Sequence, residues 1–209
     1  MNYLSGKQLK AISSLASKDK GRPNLGCVWF DSTPQAKSSF YPHRLEDGHL
    51  RLTATDGHQL FQLVFAGSQC GKFEPFAYSL DTIKRLMPTD RIRVSSSGLE
   101  FNGQSIGCIV DKLSMPSWDD VVPKHVSETK ENQNYFGIGF GIINRVSKAV
   151  IAVSGCKDQS VRFQVGKDYL SPVRYDFTPE DMDGNLIEAI GVIMPVRIEL
   201  AESKARKAA

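Results

Sequence analysis

Three times along the chain, apolar residues recurring every three or four positions are followed by several short runs of alternating or continuous apolar residues. The first helical stretch is "LSGKQLKAISSLASK". Leu9, Ile12, Leu15 and Ala16 fall on one face. Ser5 and Gln8 have capping-box spacing, and Gly21 and Pro23 are expected to end the element. "GCVWFD", "HLRLTAT" and "HQLFQLVF" then read as strands. The middle one alternates, with Leu50, Leu52 and Ala54 on one side and Arg51, Thr53 and Thr55 on the other. Asp56-Gly57 between two strands predicts a two-residue primed hairpin turn. Residues 32 to 47, with Pro34 and Pro42, read as a longer loop.

The pattern returns in "FAYSLDTIKRLMP", a strand running into a helix with Ser79 as cap. Leu80, Ile83, Leu86 and Met87 form its expected buried face, and Pro88 its stop. "RIRV" and "GLEFNGQSIGCIV", with an Asn102-Gly103 turn, supply three more strands. It returns again in "NYFGIGFGIINRVSKAVIAV", strand then helix, with Ile142, Ile143, Val146, Ala149 and Val150 expected to face inward. "SVRFQVG", "YLSPVRYDF" and "NLIEAIGVIMPV" follow as strands. The helices start near residues 5, 79 and 141. That is a repeat of about 60 to 75 residues, each unit strand-helix-strand-strand-strand. The fold class expected is α+β, with helices on one face of antiparallel sheets.

Composition narrows this picture only a little. The chain has 209 residues, 23% of them charged, and a net charge of +3. Any positive field must therefore come from local placement rather than from the total. Cys27, Cys70, Cys108 and Cys156 form no CxxC pair and lie in or beside apolar runs, as expected of reduced, mostly buried thiols. "MNYLSGKQLK" lacks a signal-type apolar core, and no apolar run reaches the roughly 20 residues of a membrane span. A cytoplasmic protein with no membrane contact is expected.

Three features carry candidate chemistry, each with a plain structural alternative. Asp56 and His58 in "TATDGHQL" suit either a tight turn or a functional pair. No GxSxG, no HExxH and no second His at ligand spacing accompanies them, so catalysis, a metal and a cofactor are not expected. Lys7, Lys10, Lys18, Lys84, Arg85, Arg145 and Lys148 lie off the apolar helix faces. They suit either a solvated surface or a row tracking a phosphate backbone. "VIMPVRI" suits either an edge strand broken by Pro195 or an adaptable apolar groove built on Met194.

"TATDGHQL" and the far downstream "VIMPVRI" together resemble the bacterial sliding clamps, the beta subunit of DNA polymerase III. In that family a T-D-G-H-basic-L turn and a terminal M-P-x-R segment line a hydrophobic pocket for short linear peptides. "SMPSWDDVVP" resembles the linker that closes the family's middle domain. By this resemblance, residues 1–123 are a complete middle domain of two units, about 1–68 and 69–123. Residues 124–200 hold the second half of the last domain, and 201–209 are a basic tail. The chain is then a cut-down clamp with half the family's number of units.

The resemblance implies a peptide pocket of Thr55, Gly57, His58, Gln59 and Leu60 from the turn. Pro123 comes from the linker, and Val192, Met194, Pro195 and Arg197 from the C-terminal segment. Trp29 sits near a position where the family has an aliphatic residue, and Gln59 stands where it has a basic one. The implied partners are DNA polymerase and other replication or repair proteins carrying clamp-binding peptides, together with double-stranded DNA bound without sequence preference. Lys7, Lys10, Lys18, Lys84, Arg85, Arg145 and Lys148 are the candidates to face that DNA. A homo-oligomer is implied too. Either about four chains close a ring, or the orphan half-domain pairs with its copy and the protein is a peptide-binding module without a ring.

Overall fold

The computed structural model describes residues 3–32, 50–65, 73–106, 113–116, 138–164, 172–177 and 186–194. In chain order they form β1 (Tyr3–Ser5), α1 (Gly6–Ser13), β2 (Cys27–Asp31), β3 (Leu50–Thr55), β4 (Gln59–Phe65), β5 (Phe76–Ser79) and α2 (Leu80–Lys84). There follow β6 (Arg91–Ser95), β7 (Gly98–Phe101), β8 (Gln104–Ser105), α3 (Phe140–Ser154), β9 (Arg162–Gln164), β10 (Val173–Phe177) and β11 (Leu186–Ile193). The order strand-helix-strand-strand-strand occurs twice in full, and a third time from α3 onward. The strand expected ahead of α3 lies outside the described residues, apart from Ile138 and Gly139, which are not in a strand.

The helix starts follow the sequence closely because their caps are chemical. Ser5 accepts the Gln8 amide at 3.1 Å, and Gln8 Oε1 accepts the Ser5 amide at 2.9 Å, which closes the capping box. Ser79 caps α2 by accepting the Thr82 amide. The ends follow less well. α1 stops at Ser13 instead of continuing toward Gly21, because the Ser13 and Ser14 hydroxyls bond back to the Lys10 and Ala11 carbonyls. Lys18 therefore lies beyond the helix. α2 stops at Lys84, so Met87 leaves the helical face and is 61% exposed instead of buried.

All strand pairs are antiparallel, in two sheets. One has the order β1-β6-β7-β8, the other β5-β2-β3-β4-β11-β10-β9. The first two units exchange their first strands, with β5 added to β2 and β1 added to β6. The third unit extends the larger sheet through β4 and β11. α1 packs against both α2 and α3, and the helices share one apolar core with the sheet residues facing them. Leu9, Ile12, Val28, Phe30, Leu52, Phe61, Leu63, Ile92, Leu99, Val150 and Tyr175 belong to it.

Two further expectations fail for local reasons. Ile143 was expected inward with Val146, Ala149 and Val150; those three are buried, but Ile143 lies in the first turn of α3, ahead of the buried stretch that begins at Val146, and is 44% exposed. Of the cysteines expected to be mostly buried, Cys27 is buried but Cys156 is exposed, just past the αL cap at Gly155. Cys70 and Cys108 lie outside the described residues. The Asn102-Gly103 turn forms as expected, with positive φ at both positions.

One close approach orders the middle of the larger sheet. Tyr175 on β10 pairs with Gly191 on β11, and a Cβ at Gly191 would run into the Tyr175 ring. The ring lies across the glycine and stacks on Phe61 of β4 at 6.0 Å. Burial raises the Tyr175 pKa. No described helix is long and apolar enough to cross a membrane.

Candidate functional site

The chain from Thr55 to Gln59 makes a turn wider than a two-residue primed turn. Thr55 pairs with Leu60, and the Asp56 amide donates to the Gln59 carbonyl. Within the turn only Gly57 has positive φ, at 88°, whereas a type I′ turn on Asp56-Gly57 needs it at both residues and a type II′ turn there needs it at Asp56. The Asp56 side chain takes over the missing ordering. Its Oδ1 accepts the amides of His58 at 2.9 Å and Gln59 at 3.0 Å. Its Oδ2 accepts Gln59 Nε2 at 3.2 Å and Arg145 Nη1 at 2.9 Å. The Thr55 hydroxyl donates to the Gln59 carbonyl and accepts the Gly57 amide. His58 is left exposed at the tip.

β11 brings the C-terminal segment to this turn. Val192 pairs with Leu60 and Ile193 with Gln59. The Met194 amide then donates to the His58 carbonyl at 2.8 Å, one step past the end of the strand. Thr55, Leu60 and Val192 thus form a straight row across β3, β4 and β11. Strand alternation puts this row on the face away from the helices. There Leu60 and Val192 join Cys27, Trp29 and Ala77 in a second apolar cluster, against which Leu113 and Met115 pack.

The predicted residues therefore divide into a floor and a lip. Trp29, Leu60 and Val192 are buried as the floor, and the Trp29 indole N–H donates to the Asn24 carbonyl at 2.8 Å. Gly57, His58 and Met194 are exposed at the lip, Met194 by 38%. Thr55 is buried and holds the turn. Gln59 is buried too, and alternation turns it to the helix side, opposite Leu60. Pro123, Pro195 and Arg197 lie outside the described residues.

Sequence reasoning missed several members. Asp56 was weighed as a turn former or as one of a pair with His58, yet it ties the turn to α3 through Arg145. Cys27 and Ala77 share the face of Trp29, a period-two relationship that was available in "CVWFD" and "FAYS". Met115 sits inside "SMPSW". Burial raises the Cys27 thiol pKa, consistent with an apolar packing role rather than a reactive one.

The basic residues do not form one equivalent set. Lys7, Lys18, Arg85 and Lys148 are exposed, and Lys10 is half-buried. Lys84 pairs with Asp81 at 3.1 Å on the surface, and Arg145 is held by Asp56.

No family model matches the chain, and no curated protein does. Solved structures do match. The Helicobacter pylori beta clamp in complex with carprofen has a TM-score of 0.60 at 9% identity, covering 92% of this chain and 64% of that one. The beta chain of DNA polymerase III from Streptococcus pneumoniae has a TM-score of 0.58 at 15% identity, covering 94% and 64%. The Pseudomonas aeruginosa sliding clamp bound to griselimycin has a TM-score of 0.54 at 15% identity, covering 94% and 65%. The chain has the sliding-clamp fold and spans about 65% of the length of the clamps it matches.

Proposed function

We propose, from this sliding-clamp fold, that the protein is a cut-down clamp that binds short linear peptides of DNA polymerase and other replication or repair proteins at the β4–β11 seam. The observation that carries the reading is the row Thr55–Leu60–Val192, with the Met194 amide bonded to the His58 carbonyl. Two segments more than a hundred residues apart meet there, and they are the two that resembled the clamp pocket. The mechanism is binding without bond making. An apolar peptide anchor first meets the exposed Met194 thioether, which adapts to varied shapes. Deeper contact with Leu60, Val192 and Trp29 requires Leu113 and Met115 to give way. Burial of a Leu or Val side chain is worth about 1.5–3 kcal/mol, so only an anchor that refills the space binds well. The groups at the lip set the register.

The domain reading belongs to the same proposal: 1–123 as a middle domain, 124–200 as half of a last domain and 201–209 as a tail. So does assembly into an oligomer that encircles DNA in the cytoplasm, with the exposed lysines making weak, salt-sensitive phosphate contacts. A peptide-binding module without a ring uses the same seam and differs in closure and DNA binding.

The test is titration of a fluorescent clamp-binding peptide against wild type and Met194→Glu. Saturable binding by wild type and at least tenfold weaker binding by the variant, with an unchanged circular dichroism spectrum, is the expected result. Equal affinity for both removes the seam from the function.

A further inference from the structure

The first two units show how units of this build close one another. Each donates its first strand to the outer strand of the other, β5 to β2 and β1 to β6. The exchange is reciprocal, as an approximate two-fold axis between the units produces. It also covers side chains: Phe30 on β2 is stacked on Phe76 of β5 at 5.2 Å.

The third unit has no such neighbour among the described residues. β9 takes the place in its unit that β2 and β6 take in theirs, and it ends the larger sheet. Phe163 on β9 stands on the helix side beside the Tyr175 ring, with centroids 6.0 Å apart, and is 48% exposed. On α3, Arg145 reaches toward Asp56 in the first unit. Ile143 lies two residues earlier, about 200° around the helix, and so looks away from that unit. Phe140, about 60° from Ile143 on the same flank, is 84% exposed. α1 has a helix on each side, α2 and α3, whereas this flank of α3 has none among the described residues. Of the six large apolar side chains exposed among the described residues, three, Phe140, Ile143 and Phe163, belong to α3 and β9 of this one unit.

We propose that this flank, Phe163 with Ile143 and Phe140, is a self-complementary interface for a second copy of the chain, the two third units closing each other about a two-fold axis as the first two do within one chain. The second copy is the occupant because it brings the same unit, open at β9 among the described residues, with the same exposed side chains. The inference deepens the assembly half of the proposed function and is independent of the peptide seam.

The test is mass by light scattering on the full chain over a range of concentrations, for wild type, Phe163→Glu and Ile143→Glu, with circular dichroism and peptide titration on each. Wild type is expected at twice the 23.1 kDa chain mass or an even multiple of it. Each variant is expected at half the wild-type mass, with wild-type dichroism and peptide affinity. A wild type that stays at single-chain mass at every concentration overturns the proposal, as does an oligomer that neither variant weakens. A paired wild type that binds no peptide would sink the seam reading and leave this interface standing.

Discussion

Arg145 on α3 donates to Asp56 at the β3–β4 turn at 2.9 Å, across 89 residues of sequence. The same carboxylate holds the His58 and Gln59 amides. One aspartate thus orders the turn and fastens it to the third unit. The pair is partly open, with side chains 44% and 12% exposed, so Arg145→Ala is expected to cost only about 0.2–1 kcal/mol. Asp56→Ala also strips an acceptor from backbone amides and is expected to cost about 1–3 kcal/mol. Denaturant melts should rank the two in that order. Amide hydrogen exchange at His58 and Gln59 should speed up far more in the aspartate variant. Equal exchange in both would mean that the carboxylate does not order the turn.

Gly191→Ala places a Cβ into the Tyr175 ring, which is held in a stack with Phe61. Overpacking of this kind costs about 1–3 kcal/mol. At about 2–4 °C per kcal/mol for a chain of this size, a drop of several degrees in Tm is expected by calorimetry. The double variant with Tyr175→Phe should recover little, because the ring and not only the hydroxyl is in the way. Full recovery would mean that the ring is free to move.

Replacing Lys10, Lys84 and Lys148 together by Gln is expected to weaken retention on double-stranded DNA at low salt. The slope of log affinity against log salt should fall by about 0.9 for each phosphate that is no longer neutralised. Arg145→Gln added to this set should change the slope little, since Asp56 already holds that cation. A triple variant with the wild-type slope would remove these lysines from any role in holding DNA.

The two described cysteines should separate cleanly under a thiol reagent. Cys156 is exposed and is expected to label quickly in the native protein. Cys27 is buried with a raised pKa, so little thiolate is present at neutral pH and labelling should wait for unfolding. Site mapping by mass spectrometry reads both. Early modification of Cys27 would show that the floor of the seam opens readily.

Much of this fold was legible because the signals were local. Ser5 with Gln8, Ser79, and the Asn102-Gly103 pair act within a few residues, and each formed as read. Readings that depended on distant neighbours fared worse. Val146, Ala149 and Val150 on α3 were read as buried and are, but nothing near Ile143 says that the turn before them stays exposed. Nothing near Arg51 or Thr53 says that both faces of β3 are covered, so its alternation marks two buried sides rather than an inside and an outside. The two halves of the candidate site were visible as separate strings. Their junction depends on β4 and β11 pairing, which no spacing rule supplies. Asp56 was visible as a turn residue, but its partner on α3 was not.

That pairing also sets an order of events. β11 is the last described strand of the chain, and it completes a sheet whose β2, β3 and β4 were made before residue 66. While a ribosome is still producing the residues between, β4 has no strand on its far side, and edges of that kind invite wrong pairings. Contacts so distant in sequence form slowly. The seam exists only once synthesis has passed Ile193 and β11 has docked. A partner that reads the seam therefore recognises finished molecules and passes over nascent or truncated ones.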